Sequence, residues 1–185
     1  MQNNTQGNAR IVIGMAVFVI FWVLSSSAQA WKPEVGDKPE AMQQIEHVTG
    51  KPVNLADYSG KPLVIYFGAD WCAPCTANGR PAVIDAFNKY KAKGLQVLFV
   101  DLDDPFKFRG KKLNESKELG FPIAMRAMPP EGQEKMRNFD FGTFGKIQVV
   151  PTAIVVDKSG KVVAKIEQGT RLRDELDGTV APLMR

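Results

Sequence analysis

The sequence predicts an α/β domain in which helices flank a central mixed sheet. Two apolar, β-branched runs, Pro62–Phe67 and Leu95–Val100, enclose a helical pattern, which makes a βαβ unit with parallel neighbours and a right-handed crossover. A later pair of runs, Ala153–Val156 and Lys161–Ile166, is joined by Asp157-Lys158-Ser159-Gly160, a hairpin turn composition, so antiparallel pairing joins the parallel pairing. A length of 185 residues at 44% hydrophobic content suits one domain with an ordinary core, and no internal repeat appears. The net charge of +4 is mild. Basic residues are dispersed, with no Arg/Lys stripe and interleaved aromatics, so nucleic acid is not an expected partner.

Residues 1 to 10 are polar with one basic side chain, Arg10; Ile11 to Leu24 are apolar and uncharged; Ser25 to Ala30 are small and end Ala28-Gln29-Ala30. That order is a secretory signal, with an uncleaved N-terminal anchor as the alternative. Either way the remainder is exported, and the membrane is touched only through this segment. It contains no cysteine to carry a lipoprotein anchor. The domain is assigned to 31–185, its core to about 45–170.

Trp31 to Gln44, with prolines and Gly36, reads as an extended lead-in on the domain edge. Ile45 to Asp57 contains the turn signal Thr49-Gly50-Lys51-Pro52 and reads as a hairpin, and Ser59-Gly60-Lys61 turns the chain into the first buried strand. Gly68-Ala69-Asp70 follows that strand, and the helix after it carries Ala82, Ile84, Ala86, Phe87 and Tyr90 at amphipathic spacing. Lys89, Lys91 and Lys93 complement its dipole before Gly94 stops it, and Pro81 should kink it. Beyond the second strand, a helix is expected around Lys111 to Leu119 and a short strand over Phe121 to Met125, with the charges from Lys107 to Lys117 on a solvated face. Met128 to Gly132 reads as a loop, and Phe139, Phe141 and Phe144 as core cover. Arg171 to Leu176 gives a last short helix and Gly178 to Arg185 a tail.

The only two cysteines stand in Trp71-Cys72-Ala73-Pro74-Cys75, directly after the first strand. Such a pair binds a soft metal or cycles between dithiol and disulfide. Zinc requires about four ligands, and the chain adds one histidine, His47, so redox chemistry fits better. Pro74 suits the first turn of a helix and places Cys72 at its N-terminus, where free N–H groups and the macrodipole favour a thiolate. Cys72 is the expected nucleophile. Cys75, one turn inside and more buried, is the expected resolving thiol.

These residues resemble the thioredoxin superfamily and, within it, the TlpA-like exported thiol-disulfide oxidoreductases. The resemblance spans about residues 45–170 and rests on four features. They are Trp71 to Cys75 after a strand, Val150-Pro151-Thr152 before another, the turn Asp157 to Lys161, and the lead-in Gly50 to Leu55 with Gly60-Lys61-Pro62. It implies a thioredoxin fold in which Phe106 to Phe144 hold the extra helix and strand of the TlpA-like branch. Pro151 would be a cis proline facing the disulfide, Val150 would offer backbone groups to a substrate strand, and Trp71 would shield one side of the cysteines. No cofactor beyond the Cys72–Cys75 disulfide is implied. Partners would be exported disulfide-bonded proteins, with cytochrome c maturation one implied area, and a membrane electron donor.

Three departures stand out. Cytosolic thioredoxins carry a buried acid where this chain has Tyr66, and TlpA-like reductases often carry glutamate where it has Asn78. Asp70 is expected to point to solvent, so no catalytic acid is assigned. The helix proline lies one place later than the resemblance predicts. The function read from the sequence is reduction of disulfides in exported proteins, the alternatives being an oxidase or isomerase, or a Cu(I)-binding module that uses the two sulfurs, with or without His47.

Overall fold

The computed structural model describes residues 33–127 and 141–185. The proposed signal, Trp31, the Met128 to Gly132 loop and Phe139 lie outside them. Six strands form one sheet: β1 (Ile45–His47), β2 (Leu63–Gly68), β3 (Gln96–Asp101), β4 (Ile123–Arg126), β5 (Thr152–Val156) and β6 (Val162–Glu167), in the order β1-β4-β3-β2-β5-β6. β2 and β3 pair in parallel with Leu63 opposite Gln96 and Gly68 opposite Asp101. β4 continues the parallel set, whereas β5, β6 and β1 pair antiparallel. The sheet is mixed, as expected.

All six residues of β2 are buried. A strand covered on both faces must read as a continuous apolar run, and Leu63 to Phe67 does. Val64 and Tyr66 face the helical side, where they pack with Phe99 of β3 and with α1 (Arg80–Tyr90) and α3 (Gly169–Val180). The helix α2 (Pro105–Leu119) contributes Phe108, Leu113 and Leu119 to the same face. Ile65 and Phe67 face the other side, which loops cover: Met42 of the lead-in, Val53, and Phe141 and Phe144, whose rings lie 5.4 and 5.9 Å from that of Phe67. Phe141 and Phe144 are therefore core.

Several expectations shift in detail. The Ile45 to Asp57 hairpin shrinks to a single bridge between Glu46 and Pro52 around the left-handed Gly50, and Leu55–Tyr58 is a 3₁₀ turn capped by Asn54. β1 instead takes β4 as its partner. The lead-in does bind the domain edge, with Gly36 N–H donating to Val162 and Val162 N–H to Asp37. α2 starts six residues earlier than expected, because Asp104 caps it by accepting the Phe106 N–H at 2.9 Å and Pro105 suits its first turn. α3 runs to Val180, whose side chain is fully buried, so Gly178 is helical and only the last residues form a 3₁₀ turn. Among the described residues no helix is long and apolar enough to cross a membrane.

Candidate active site

β2 delivers the chain to the C-terminal edge of the sheet, and the redox pair sits at the turn beyond it. Cys72 and Cys75 are joined as a disulfide. The chain becomes helical at Ala73, so Cys72 occupies the N-cap position. Its carbonyl accepts the Cys75 and Thr76 N–H groups at 2.9 and 3.1 Å, and its Sγ accepts the Cys75 N–H at 3.2 Å. A donor already aimed at this sulfur, at a helix N-terminus, stabilises negative charge on it once the disulfide opens. Cys72 is 6% exposed and Cys75 is fully buried. Of the pair, Cys72 alone retains any surface exposure.

The π-turn Cys75–Gly79 joins this start to α1. Arg80 N–H donates to Cys75 O, five residues back. Proline at 81 has no N–H to give and its ring collides with the carbonyl four residues earlier, so widening the preceding turn by one residue relieves both problems. Pro81 thus stands in the first turn of α1, directly after the π-turn, rather than in the helix interior where a kink was expected.

The Val150–Pro151 peptide is cis, and Val150 packs on the cluster of Ala69, Cys72 and Cys75, joined there by Leu102. Trp71 is 61% exposed and Val149 is also exposed, so Trp71 is not a core residue. The structure thus gathers Trp71, Cys72, Cys75, Val150 and Pro151 at one edge of the sheet.

Tyr66 stands directly beneath. Its hydroxyl donates to Cys75 O at 3.3 Å, and burial raises its pKa, the charge of Asp101 adding to this and that of Arg80 opposing it. A neutral phenol at this place accepts no proton from a thiol near pH 7. Asn78 packs its Cβ close to Gly169, the first residue of α3, whose own Cα hydrogen faces the Pro74 carbonyl; a Cβ there would lie 2.6 Å from that oxygen. Gly169 lets α3 approach the turn that carries the cysteines.

Two expectations about charge are overturned. Asp70 does not point to solvent: its carboxylate receives Arg80 at 2.6 Å, Lys111 at 2.7 Å and Lys112 at 2.8 Å, while its N–H donates to Asp103 at 3.1 Å. Burial alone raises the Asp70 pKa, but hydrogen bonds from Lys111, Lys112 and Arg80 outweigh it and hold the carboxyl well below the usual range. The Lys107 to Lys117 segment is not wholly a solvated face, because Lys112 is 0% exposed and also meets Asp101 at 2.7 Å, Glu115 at 3.2 Å and Asp103 at 3.4 Å. The signal was present in the sequence: Lys112 falls on the stripe Phe108, Lys112, Glu115, Leu119 that turns α2 inward. Burial pushes the Asp101 carboxyl up to about 7, with Lys112 pulling against it and Asp103 adding to it. Asp70, Asp101 and Asp103 converge closely enough for a cation, and the ammonium of Lys112 is the cation they hold.

His47 does not reach the cysteines. It lies in β1, three strands from β2, roughly 14 Å at the usual strand spacing. Burial lowers its pKa, with Asp57 opposing and Lys51 reinforcing, and its N–H donates to Lys51 O. His47 therefore does not join the two sulfurs of its own chain as a copper ligand.

The chain matches the model of the AhpC/TSA family over residues 35–165. It is 31% identical over 134 residues to the thiol-disulfide oxidoreductase ResA of Bacillus anthracis, covering 72% of this chain and 70% of that protein. Among solved structures, the thioredoxin domain of a Bacteroides vulgatus thiol-disulfide oxidoreductase superposes with a TM-score of 0.58 at 24% identity, over 80% of this chain and 99% of the other. A thioredoxin-family thiol:disulfide interchange protein of Chlorobium tepidum superposes at 0.53 and 24%, with the same coverage. The solved structures share the fold, and the family model and the ResA relative agree: the chain belongs to the AhpC/TSA family, as a TlpA-like thiol-disulfide oxidoreductase of the thioredoxin superfamily.

Proposed function

We propose that this protein is exported and reduces disulfides in extracytoplasmic proteins, with Cys72 as nucleophile and Cys75 as resolving thiol. The observation that carries the reading is the asymmetry of the pair: Cys72 stands at the helix start, retains slight exposure and has its Sγ bonded by the Cys75 N–H, while Cys75 is enclosed. In the dithiol form the Cys72 thiolate attacks a substrate disulfide, forming a mixed disulfide and releasing one substrate thiolate. Cys75, once deprotonated, attacks Cys72 Sγ; the Cys72–Cys75 bond forms, the second substrate thiolate leaves, and two electrons have passed to the substrate. Val150, next to both sulfurs, offers backbone groups to an extended substrate strand, and exposed Trp71 borders its path. Pro151, whose ring has no N–H, leaves that strand no competing donor. Residues 1–30 serve as export signal or anchor, a membrane donor restores the dithiol, and apocytochromes c are one candidate substrate class.

The test is the reduction potential of the protein from Trp31 onward, equilibrated in thiol buffers and read by trapping free thiols. A value near or below about −250 mV is expected for a reductant; one near −120 mV makes the protein an oxidant and overturns the reading.

A further inference from the structure

The network around Lys112 is placed where it acts on the redox loop. Asp70 and Arg80 flank the cysteines, Asp70 two residues before Cys72 and Arg80 at the start of α1, and they join at 2.6 Å. This link closes the loop from both ends. Its carboxylate is held in turn by Lys112, and its N–H by Asp103, so side chain and backbone of the residue leading into Trp71-Cys72 are fixed by α2 and by the end of β3. Lys112 also binds Asp101, whose Oδ1 accepts the Asp103 N–H at 2.9 Å, and Glu115, which returns to Arg80 at 3.1 Å. The ring of Phe99 lies under both cations, 5.1 Å from the Arg80 guanidinium and 5.7 Å from the Lys112 ammonium. Four acids, Asp70, Asp101, Asp103 and Glu115, and two cations, Arg80 and Lys112, thus share one pocket of low water access, and Lys112 is the cation that touches all four acids.

We infer that Lys112 is a positioning residue for the thiol exchange: inserted from α2, it fixes the Asp70-Trp71-Cys72 segment, and its buried charge stabilises the thiolate on Cys72. The inference rests on reading Cys72 as the attacking sulfur. Charge placed here can be felt at the sulfur. One residue, Trp71, lies between Asp70 and Cys72, and Lys112 meets the Asp70 carboxylate at 2.8 Å, so the reach of that chain puts the ammonium roughly 10 Å from Sγ. A unit charge at that range, in surroundings of intermediate dielectric, shifts a thiol by about one pKa unit. With Tyr66 and Asn78 uncharged, neither position adds a charge of its own, and the opposing carboxylate nearest in the chain, Asp70, is the one that Lys112 and Arg80 neutralise.

The test uses the reduced full-length protein, its Lys112→Met variant and its Asp103→Asn variant. Asparagine at 103 keeps an acceptor for the Asp70 N–H and removes one negative charge. Alkylation rate against pH, with mass mapping of the modified cysteine, gives the Cys72 pKa without any substrate. The expected result is opposite shifts: up by about one unit in Lys112→Met, and down by about half a unit or more in Asp103→Asn. The reduction potential follows, lower in the first and higher in the second, by about 30 mV for a tenfold change. A brace without electrostatic action gives no shift, or shifts of one sign in both variants, and either result overturns the inference. Should Lys112→Met fail to fold, Asp103→Asn decides alone, a downward shift supporting the inference and an unchanged pKa overturning it. Alkylation at Cys75 instead of Cys72 in the unaltered protein would mark a failure of the mechanism on which the inference rests, separate from these outcomes.

Discussion

Gly79 and Gly110 both sit in helical conformation, and alanine at either position gains up to about 1 kcal/mol of helix propensity. What the new methyl meets decides the sign. Nothing lies within 4 Å of a Cβ at Gly110, so Gly110→Ala keeps the gain. A Cβ at Gly79 lies 2.7 Å from the Tyr66 hydroxyl and 2.8 Å from Pro151 Cβ, where carbon contacts settle near 3.5–4.0 Å. Neither neighbour can yield: the Tyr66 ring is pressed on Phe99 at 5.0 Å, and Pro151 is held by its own ring at the start of β5. Overpacking costs about 1–3 kcal/mol, and a clash on two sides belongs at the upper end, so Gly79→Ala loses about 2 kcal/mol net. The two variants should then differ by about 3 kcal/mol, a gap of roughly 6–12 °C in Tm for a chain of this size. Thermal unfolding of the oxidised proteins, followed by far-UV circular dichroism, measures it. Adding Tyr66→Phe to Gly79→Ala removes the hydroxyl from the clash and should recover part of the loss. In the parent, Tyr66→Phe gives up only a 3.3 Å bond to a carbonyl that Arg80 N–H still satisfies. Equal stability of Gly79→Ala and Gly110→Ala, or no recovery with Tyr66→Phe, refutes the packing argument.

Asp101, wholly buried with its carboxyl raised to about 7, holds a proton in the folded chain that the unfolded chain releases near pH 4. Its contribution to stability is therefore complete below about pH 4 and fades as pH rises to about 7. Urea unfolding across that range should show the parent losing stability relative to Asp101→Asn as pH increases; parallel profiles would refute the assignment. Asp104 caps α2, and Asp104→Ala should lower stability by about 1 kcal/mol, read from the urea midpoint at unchanged m-value.

How much of this was legible follows from which forces the sequence displays. β2 and β3 were readable because burial on both faces demands uninterrupted apolar residues, and the Asp157 to Gly160 turn because Asp157 Oδ1 takes the Ser159 and Lys161 N–H groups, a local interaction that composition reveals. The cysteines and the proline were readable because their chemistry is rare. Helix bounds were not: α2 begins at a cap whose identity depends on where β3 ends, and α3 extends because Val180 finds a buried place against the sheet. The charge network was missed for the same reason. Asp70, Asp101, Asp103 and Lys112 come from three separate elements, and only the parallel register that sets Gly68 beside Asp101 brings them together. One lysine and one glutamate on the inward-facing stripe that runs from Phe108 to Leu119 were the sole local sign of it.

The departures at the site form a connected set. A phenol at position 66 reaches the Cys75 carbonyl, and it fits only because two neighbours have no side chain: a Cβ at Gly68 or at Gly79 would lie 2.8 or 2.7 Å from its oxygen. Gly79 also ends the π-turn forced by Pro81, and the same missing Cβ admits the Pro151 ring. Tyrosine, two glycines, the displaced proline and the Pro151 ring therefore constrain one another, and an acid at 66 alone would leave a cavity above a carboxylate stripped of water. The charges that such an acid would have supplied lie instead at the end of β3 and on α2, anchored to the residue before Trp71.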